Sequence, residues 1–174
     1  MDEIKLIIPE RIHEMEVMDY KAEFEKYGEN VDGSGMLGLS KTFDEWYQML
    51  KDNECEETVR EGYVPADTYL AMRVSDGRIV GTISIRLRLN DYLASYGGHI
   101  GYSVRRSERQ KGYAKEMLRL ALLKCKEKKI CNVLITCDKE NIASSKTILA
   151  NGGILENEVP EGDRITQRYW ISVN

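Results

Sequence analysis

Arg105-Arg-Ser-Glu-Arg-Gln-Lys-Gly-Tyr-Ala-Lys-Glu-Met-Leu-Arg-Leu-Ala121 joins a short apolar segment, residues 99–104, to a stretch with helical periodicity. Ala114, Met117, Leu118, Ala121, Leu122 and Cys125 recur at the spacing of one buried helical face. The helix must therefore begin at or just after Gly112. Its first amides, in Gln110 to Ala114, have no acceptor one turn back. Free N–H groups, the positive end of the helix dipole and the cations Arg105, Arg106, Arg109 and Lys111 together describe an anion site. Gly112 lets a ligand approach the backbone without meeting a side chain. A basic run before a helix is also a common solvated surface, so spacing alone leaves both readings open.

Outward from this join the chain alternates strand and helix signals. Ile4 to Ile8 is an apolar run that reads as a first strand. Pro9 can open a helix over residues 11–26, with Ile12, Met15 and Met18 or Ala22 expected on its inner side. His13 in this helix reads as a surface histidine. Gly28, Gly33, Gly35 and Gly38 mark a loop over residues 27–40. Thr42 with Glu45 three residues later forms a capping box for a second helix. Beyond it, Glu54, Glu56 and Glu57 read as a solvated acidic cluster. Residues 68–74 and 78–89 read as strands joined by a hairpin turn at Ser75-Asp-Gly77. The second alternates Ile83, Ile85, Leu87 and Leu89 with Thr82, Ser84, Arg86 and Arg88, which predicts one buried and one polar face. Residues 132–137 form an apolar central strand, 141–150 a short helix, and 153–159 with 164–173 a closing hairpin. The expected class is α+β: a mixed, largely antiparallel sheet flanked by helices in a single domain over residues 1–174.

Composition narrows the function. The chain has 174 residues, 42% of them apolar, enough for one compact core. Its 25 basic and 29 acidic residues leave a net charge of −4, which argues against a nucleic-acid partner. No apolar run approaches the ~20 residues of a membrane span, and the first residues lack a signal-peptide pattern, so a cytoplasmic location and no membrane partner are expected. The four cysteines form no C-x-x-C pair and the two histidines lie far apart, so no metal site is expected. Cys125, Cys131 and Cys137 sit among apolar residues and read as reduced core thiols.

Arg109-x-x-Gly112-x-Ala114, with a strand before it and an amphipathic helix after it, resembles the (Gln/Arg)-x-x-Gly-x-(Gly/Ala) pyrophosphate loop of the GNAT superfamily of N-acetyltransferases. Arg106 departs from the proline often found there. The element order matches that fold along nearly the whole chain. Gly97-Gly-His-Ile-Gly-Tyr-Ser-Val-Arg105 and Leu134-Ile-Thr-Cys-Asp-Lys-Glu-Asn-Ile-Ala-Ser-Ser145 are similar to a subgroup of predicted acetyltransferases with no assigned substrate.

The resemblance implies acetyl-CoA as cosubstrate. Its pyrophosphate is expected on the amides of Gln110, Lys111, Gly112, Tyr113 and Ala114, with charge from Arg109 and Lys115. The pantetheine arm is expected between residues 99–104 and 132–137, bonded to the backbone of Ser103 and Val104. The amide of Tyr102 or a neighbour would polarise the thioester. Asn141 and Ser144 match positions that touch the pantetheine, and Asn141 also reads as a helix N-cap. His99 takes the position of a frequent glutamate base; its ordinary pKa suits that role, and a histidine hydrogen-bonded within the sheet is the alternative. Ile148 stands where the family commonly has a tyrosine acid; the thiolate then leaves unprotonated, takes its proton from water, or takes it from another hydroxyl, with Tyr102 and Tyr169 as candidates. The acceptor is expected to be a primary amine of a small molecule. Homodimers are common in the family. A non-catalytic acyl-CoA-binding sensor or regulatory module is the competing reading, favoured by the missing tyrosine.

Overall fold

The computed structural model describes residues 2–173. Seven strands and four helices follow the order read from the sequence. They are β1 (Ile4–Ile7), α1 (Glu14–Tyr27), α2 (Phe43–Asp52), β2 (Ala66–Arg73), β3 (Ile79–Arg86), β4 (Ile100–Val104), α3 (Tyr113–Glu127), β5 (Asn132–Asp138), α4 (Ile142–Leu149), β6 (Ile154–Glu161) and β7 (Arg164–Ser172). All strand pairings are antiparallel. They make two sheets, β1-β2-β3-β4 and β5-β7-β6, and β4 and β5 face each other without forming a ladder. The gap between them is the feature that positions the site.

Each face of the four-stranded sheet carries its own core. On one face α3 lays Met117, Leu118, Ala121, Leu122 and Cys125 against Ile83, Ile85 and Ile100. On the other, α1 and α2 bring Val17, Tyr20, Phe24, Phe43 and Trp46 against Leu70 and Ile79. The Trp46 indole N–H donates to Ser34 O at 2.6 Å, so this second core also anchors the glycine loop.

Three expectations need correction. The inner side of α1 is Val17, Tyr20, Lys21 and Phe24, while Ile12 and Met15 are exposed and Met18 is only half-buried. Both sets have helical spacing. Burying a Tyr and a Phe removes more apolar surface from water, at roughly 1.5–3 kcal/mol per large side chain, and that set wins. The polar face of β3 is not solvated: Thr82 and Ser84 are buried under α1 and the glycine loop, and their hydroxyls pair with Ser103, Thr68 and the Gly33 carbonyl. Cys131 is exposed just before β5, whereas Cys125 and Cys137 are buried as expected. Burial pushes their thiols up, to about 12 for Cys125 and about 11 for Cys137.

Candidate active site

His99 sits at the apex of the gap. Its N–H donates to Leu134 O at 2.7 Å, and the Leu134 N–H donates to His99 Nδ1 at 3.0 Å. These two bonds pin β4 to β5, and beyond them the strands part. Alternation along a strand then decides which backbone groups face the gap. Arg86 N–H donates to His99 O, and Arg105 N–H donates to Val80 O. The odd-numbered residues of β4 therefore address β3. The amides of Ile100, Tyr102 and Val104 face the gap, as do the carbonyls of Ile100 and Tyr102. On the far wall the same parity turns the backbone of Thr136 inward. Ser103 is thus misplaced by the sequence reading. Its backbone belongs to the β3 ladder, and its hydroxyl donates to Asp32 O and meets Tyr20 and Thr82.

The same geometry removes His99 from the base role. Nδ1 accepts a backbone proton, so the ring's other nitrogen carries the hydrogen and no lone pair is free. Burial, helped by the Arg86 charge, lowers its pKa from 6.5. An unfolded chain takes up this proton as pH falls through about 6.5, and the folded chain resists until lower pH. The stability His99 contributes is complete above that value and is lost progressively below it. We expect Tm to drop between about pH 7.5 and about pH 5.5, with a smaller drop in His99→Gln, which keeps an acceptor for Leu134. Thermal unfolding at the two pH values measures it; equal slopes in both proteins would contradict the assignment.

At the wide end of the gap the chain turns through Gln110 and Gly112, both left-handed with φ of 62° and 87°, into α3. A positive φ in a non-glycine residue is strained. Among the described residues, the amides of residues 110–115 donate to no acceptor in the chain. The cations are arranged differently from expectation. Arg105 is buried against Asp19 and Glu23, and Arg106 pairs with Glu29 at 3.1 Å. Arg109 forks Glu29 and donates through Nε to Val104 O at 3.0 Å. Lys111 reaches the buried Glu108 at 2.9 Å. Glu29 is held below the usual carboxylate range, chiefly by its hydrogen bond from Arg109. The charge of Arg109 is therefore spent on fixing the loop to the end of α1. Lys115, exposed on the first turn of α3, has no partner for its ammonium among the described residues.

Along the gap, the Tyr102 hydroxyl and Ser144 Oγ are 2.8 Å apart, bridging β4 and α4. Burial pushes Tyr102 up to about 12, so it stays protonated at neutral pH. Asn141 Oδ1 caps α4 by accepting from the Ser144 N–H at 3.1 Å. Tyr169 spends its hydroxyl on Gln167 at 2.8 Å, and Ile148 is fully buried. On the opposite face of β4 lies a cavity of about 520 Å³ bordered by Asp32, Gly33, Ser84, Arg86 and Tyr92. Gly33 rests directly on the Gly101–Tyr102 peptide. The sequence reading passed over Arg86, Asp32 and Thr136; only the glycine spacing of residues 28–38 hinted at this wall. Among the described residues no helix is long and apolar enough to cross a membrane, and no cluster of metal-ligating side chains occurs.

Residues 15–154 match the family described as the acetyltransferase (GNAT) domain. No curated protein matches by sequence. Among solved structures, the Salmonella typhimurium acetyltransferase that modifies the N-terminal serine of ribosomal protein L7/L12 superposes with a TM-score of 0.67 at 14% identity, covering 98% of this chain and 95% of that one. A RimL ribosomal L7/L12 acetyltransferase in complex with coenzyme A gives 0.71 at 16% identity, with 98% and 94% covered. A spermidine N-acetyltransferase chimera of Vibrio cholerae gives 0.66 at 13% identity, with 97% and 94% covered. With four-fifths of its length inside the family match and the parted β4 and β5 behind a turn of free amides, the chain belongs to the GNAT family and is an acetyl-CoA-dependent N-acetyltransferase.

Proposed function

We propose that this chain moves the acetyl group of acetyl-CoA to a primary amine of a small molecule that enters beside the glycine loop. The observation that carries the reading is the gap itself: two open strand edges leading from the His99 pin to unpaired amides at residues 110–115. An extended amide-bearing arm can add to such edges as a strand does. The edges available are those of Tyr102, Val104 and Thr136, with Asn141 and Ser144 at the neighbouring helix start. Free amides at the start of α3 suit a diphosphate, and Lys115 supplies an uncommitted charge. Bound acetyl-CoA supplies an activated thioester.

The protein's part is then positional and electrostatic. The Tyr102 amide, aimed into the gap, offers a donor to the carbonyl oxygen on which charge develops. The incoming amine loses its proton to water in the 520 Å³ cavity, since His99 has no free lone pair. Tyr102 keeps its phenolic proton at neutral pH and can pass it to the departing thiolate. We expect Tyr102→Phe to lower kcat roughly 10²-fold with little change in acetyl-CoA affinity. Steady-state kinetics with calorimetry checks both, and an unchanged kcat would remove the hydroxyl from the chemistry.

Calorimetry with acetyl-CoA tests the reading directly. Binding in the micromolar range is expected, and none up to several hundred micromolar, on the order of −5 kcal/mol, would overturn it. Ile148 is buried and offers no hydroxyl, so the thiolate's proton must come from elsewhere in this enzyme. CoA release across a panel of small primary amines then tests the acceptor class.

A further inference from the structure

Arg86 is the charged group that the reaction above does not use. It ends β3 and lines the 520 Å³ cavity. Its Nη1 donates to the carbonyls of Gly97 and Gly98 at 3.0 and 3.1 Å, which fix the guanidinium in place. Among the described residues Arg86 forms no ion pair, and its Nε and Nη2 have no acceptor. Burial lowers its pKa, against a weaker opposing pull from Tyr92 and Asp32. Half-burying a cation with no carboxylate in direct contact is costly, and the cost is offset when a ligand brings an anion to its free edge.

The position of this charge is specific. Nη2 lies 3.6 Å from where a Cβ on Gly101 would stand, next to the peptide whose amide faces the gap. Across the cavity Asp32 presents a carboxylate with no hydrogen-bond or ion-pair partner among the described residues, and it is near enough to act electrostatically on Arg86. A cation and an anion therefore flank the place where the amine must arrive.

We propose that the acceptor is a zwitterionic α-amino acid, its carboxylate held by the free edge of Arg86 and its ammonium facing Asp32. The nitrogen of such a molecule is two bonds from its carboxyl carbon, a reach that suits an anchor beside the Gly101–Tyr102 peptide. The cavity has room for a side chain as well. A polyamine brings no anion to Arg86, and a peptide N-terminus brings no α-carboxylate. The inference rests on the acetyl-transfer reading for its chemistry but not for its binding.

The experiment compares each common L-amino acid with its own carboxamide, which removes the negative charge; because the carboxamide also lowers the pKa of the neighbouring amine, rates are compared per unprotonated amine across a pH series. Wild type is expected to favour at least one acid over its amide by about 100-fold in kcat/KM. Arg86→Gln should erase that preference through KM, and Arg86→Lys should restore part of it. Asp32→Asn should weaken acid and amide alike, leaving their ratio unchanged. Thermal unfolding and acetyl-CoA calorimetry on each variant separate a local loss from a failure to fold. Equal use of acids and amides, no acid used at all, or an unchanged ratio in a folded Arg86→Gln would overturn the inference. If acetyl-CoA itself does not bind, the transfer reading fails separately; amino-acid calorimetry on wild type and Arg86→Gln then still decides this one.

Discussion

Replacing Gly33 by alanine should lower the stability of this protein by about 2–4 kcal/mol and largely abolish acceptor binding. Two costs add. Gly33 has φ of +63°, a left-handed conformation that costs an L-residue about 1 kcal/mol or more. A Cβ built there would stand 2.0 Å from the Gly101 carbonyl oxygen and 2.4 Å from the Tyr102 nitrogen. Those atoms belong to β4, which is bonded to β3 and cannot yield as a flexible side chain would; overpacking of this kind costs about 1–3 kcal/mol. The glycine loop must lift off the sheet instead. The hydrogen bonds from Ser84 to Gly33 O and from Ser103 to Asp32 O, at 3.1 and 2.6 Å, would go with it.

The expected readout is a Tm lower by roughly 5–15 °C, a strongly raised KM for the amine, and acetyl-CoA affinity changed far less. Gly28→Ala is the control. Its φ is +62°, almost the same, but a Cβ there meets nothing within 4 Å. It should cost only the conformational part, about 1 kcal/mol. Equal effects of the two substitutions would show that the contact with the Gly101–Tyr102 peptide does not hold the loop.

The comparison of Gly28 with Gly33 also shows what the sequence could and could not reveal. Glycine spacing located a loop, but the chain carries no local mark that one glycine lies on a strand 68 positions away and the other in solvent. Periodicity served well where one element met one core, as in α3, whose predicted inner residues from Met117 to Cys125 are buried. It failed on β3, because alternation reports which side chains are apolar and not which face is covered. The turn through Gly112 into α3 was legible from that glycine and the periodicity behind it. The use of its cations was not, since Glu29, Glu23 and Asp19 come from α1 and its C-terminal end. The choice between the two readings of His99, and the direction of the Ser103 backbone, were out of reach for a related reason. Strand parity and the Leu134 bonds are tertiary facts that fix which atoms are free.

The basic run offers the second large effect, at Arg105. Its side chain is 1% exposed, donates to Asp19 Oδ2 at 2.7 Å, and lies 3.0 Å from Glu23 Oε2 through Nε. Its guanidinium also stands 5.6 Å from the centre of the Tyr20 ring. The Nε–Glu23 contact is an ion contact whose angle is too poor for a hydrogen bond, so Nε is a buried donor without an aligned acceptor. Removing one partner of a buried pair leaves the other uncompensated and costs about 3–5 kcal/mol. Two features of this site set where in that range Arg105→Met falls. Asp19 is largely exposed, so water takes over its solvation once the arginine is gone. Glu23 is enclosed but retains the Ser107 N–H and hydroxyl at 2.7 and 3.1 Å and the Arg78 guanidinium at 3.7 Å. The loss should therefore lie near 3 kcal/mol, read from denaturant unfolding as a lower midpoint with the slope unchanged. Acetyl-CoA affinity should move much less, because Ser107, Arg106 and Arg109 still tie the loop to α1 and its end. A large loss of acetyl-CoA binding with little loss of stability would reverse the assignment and return Arg105 to the anion site. The outcome sorts the basic run by function: arginines that hold the turn in shape are set apart from the amides of residues 110–115, which donate to nothing among the described residues and which the proposed function assigns to the ligand.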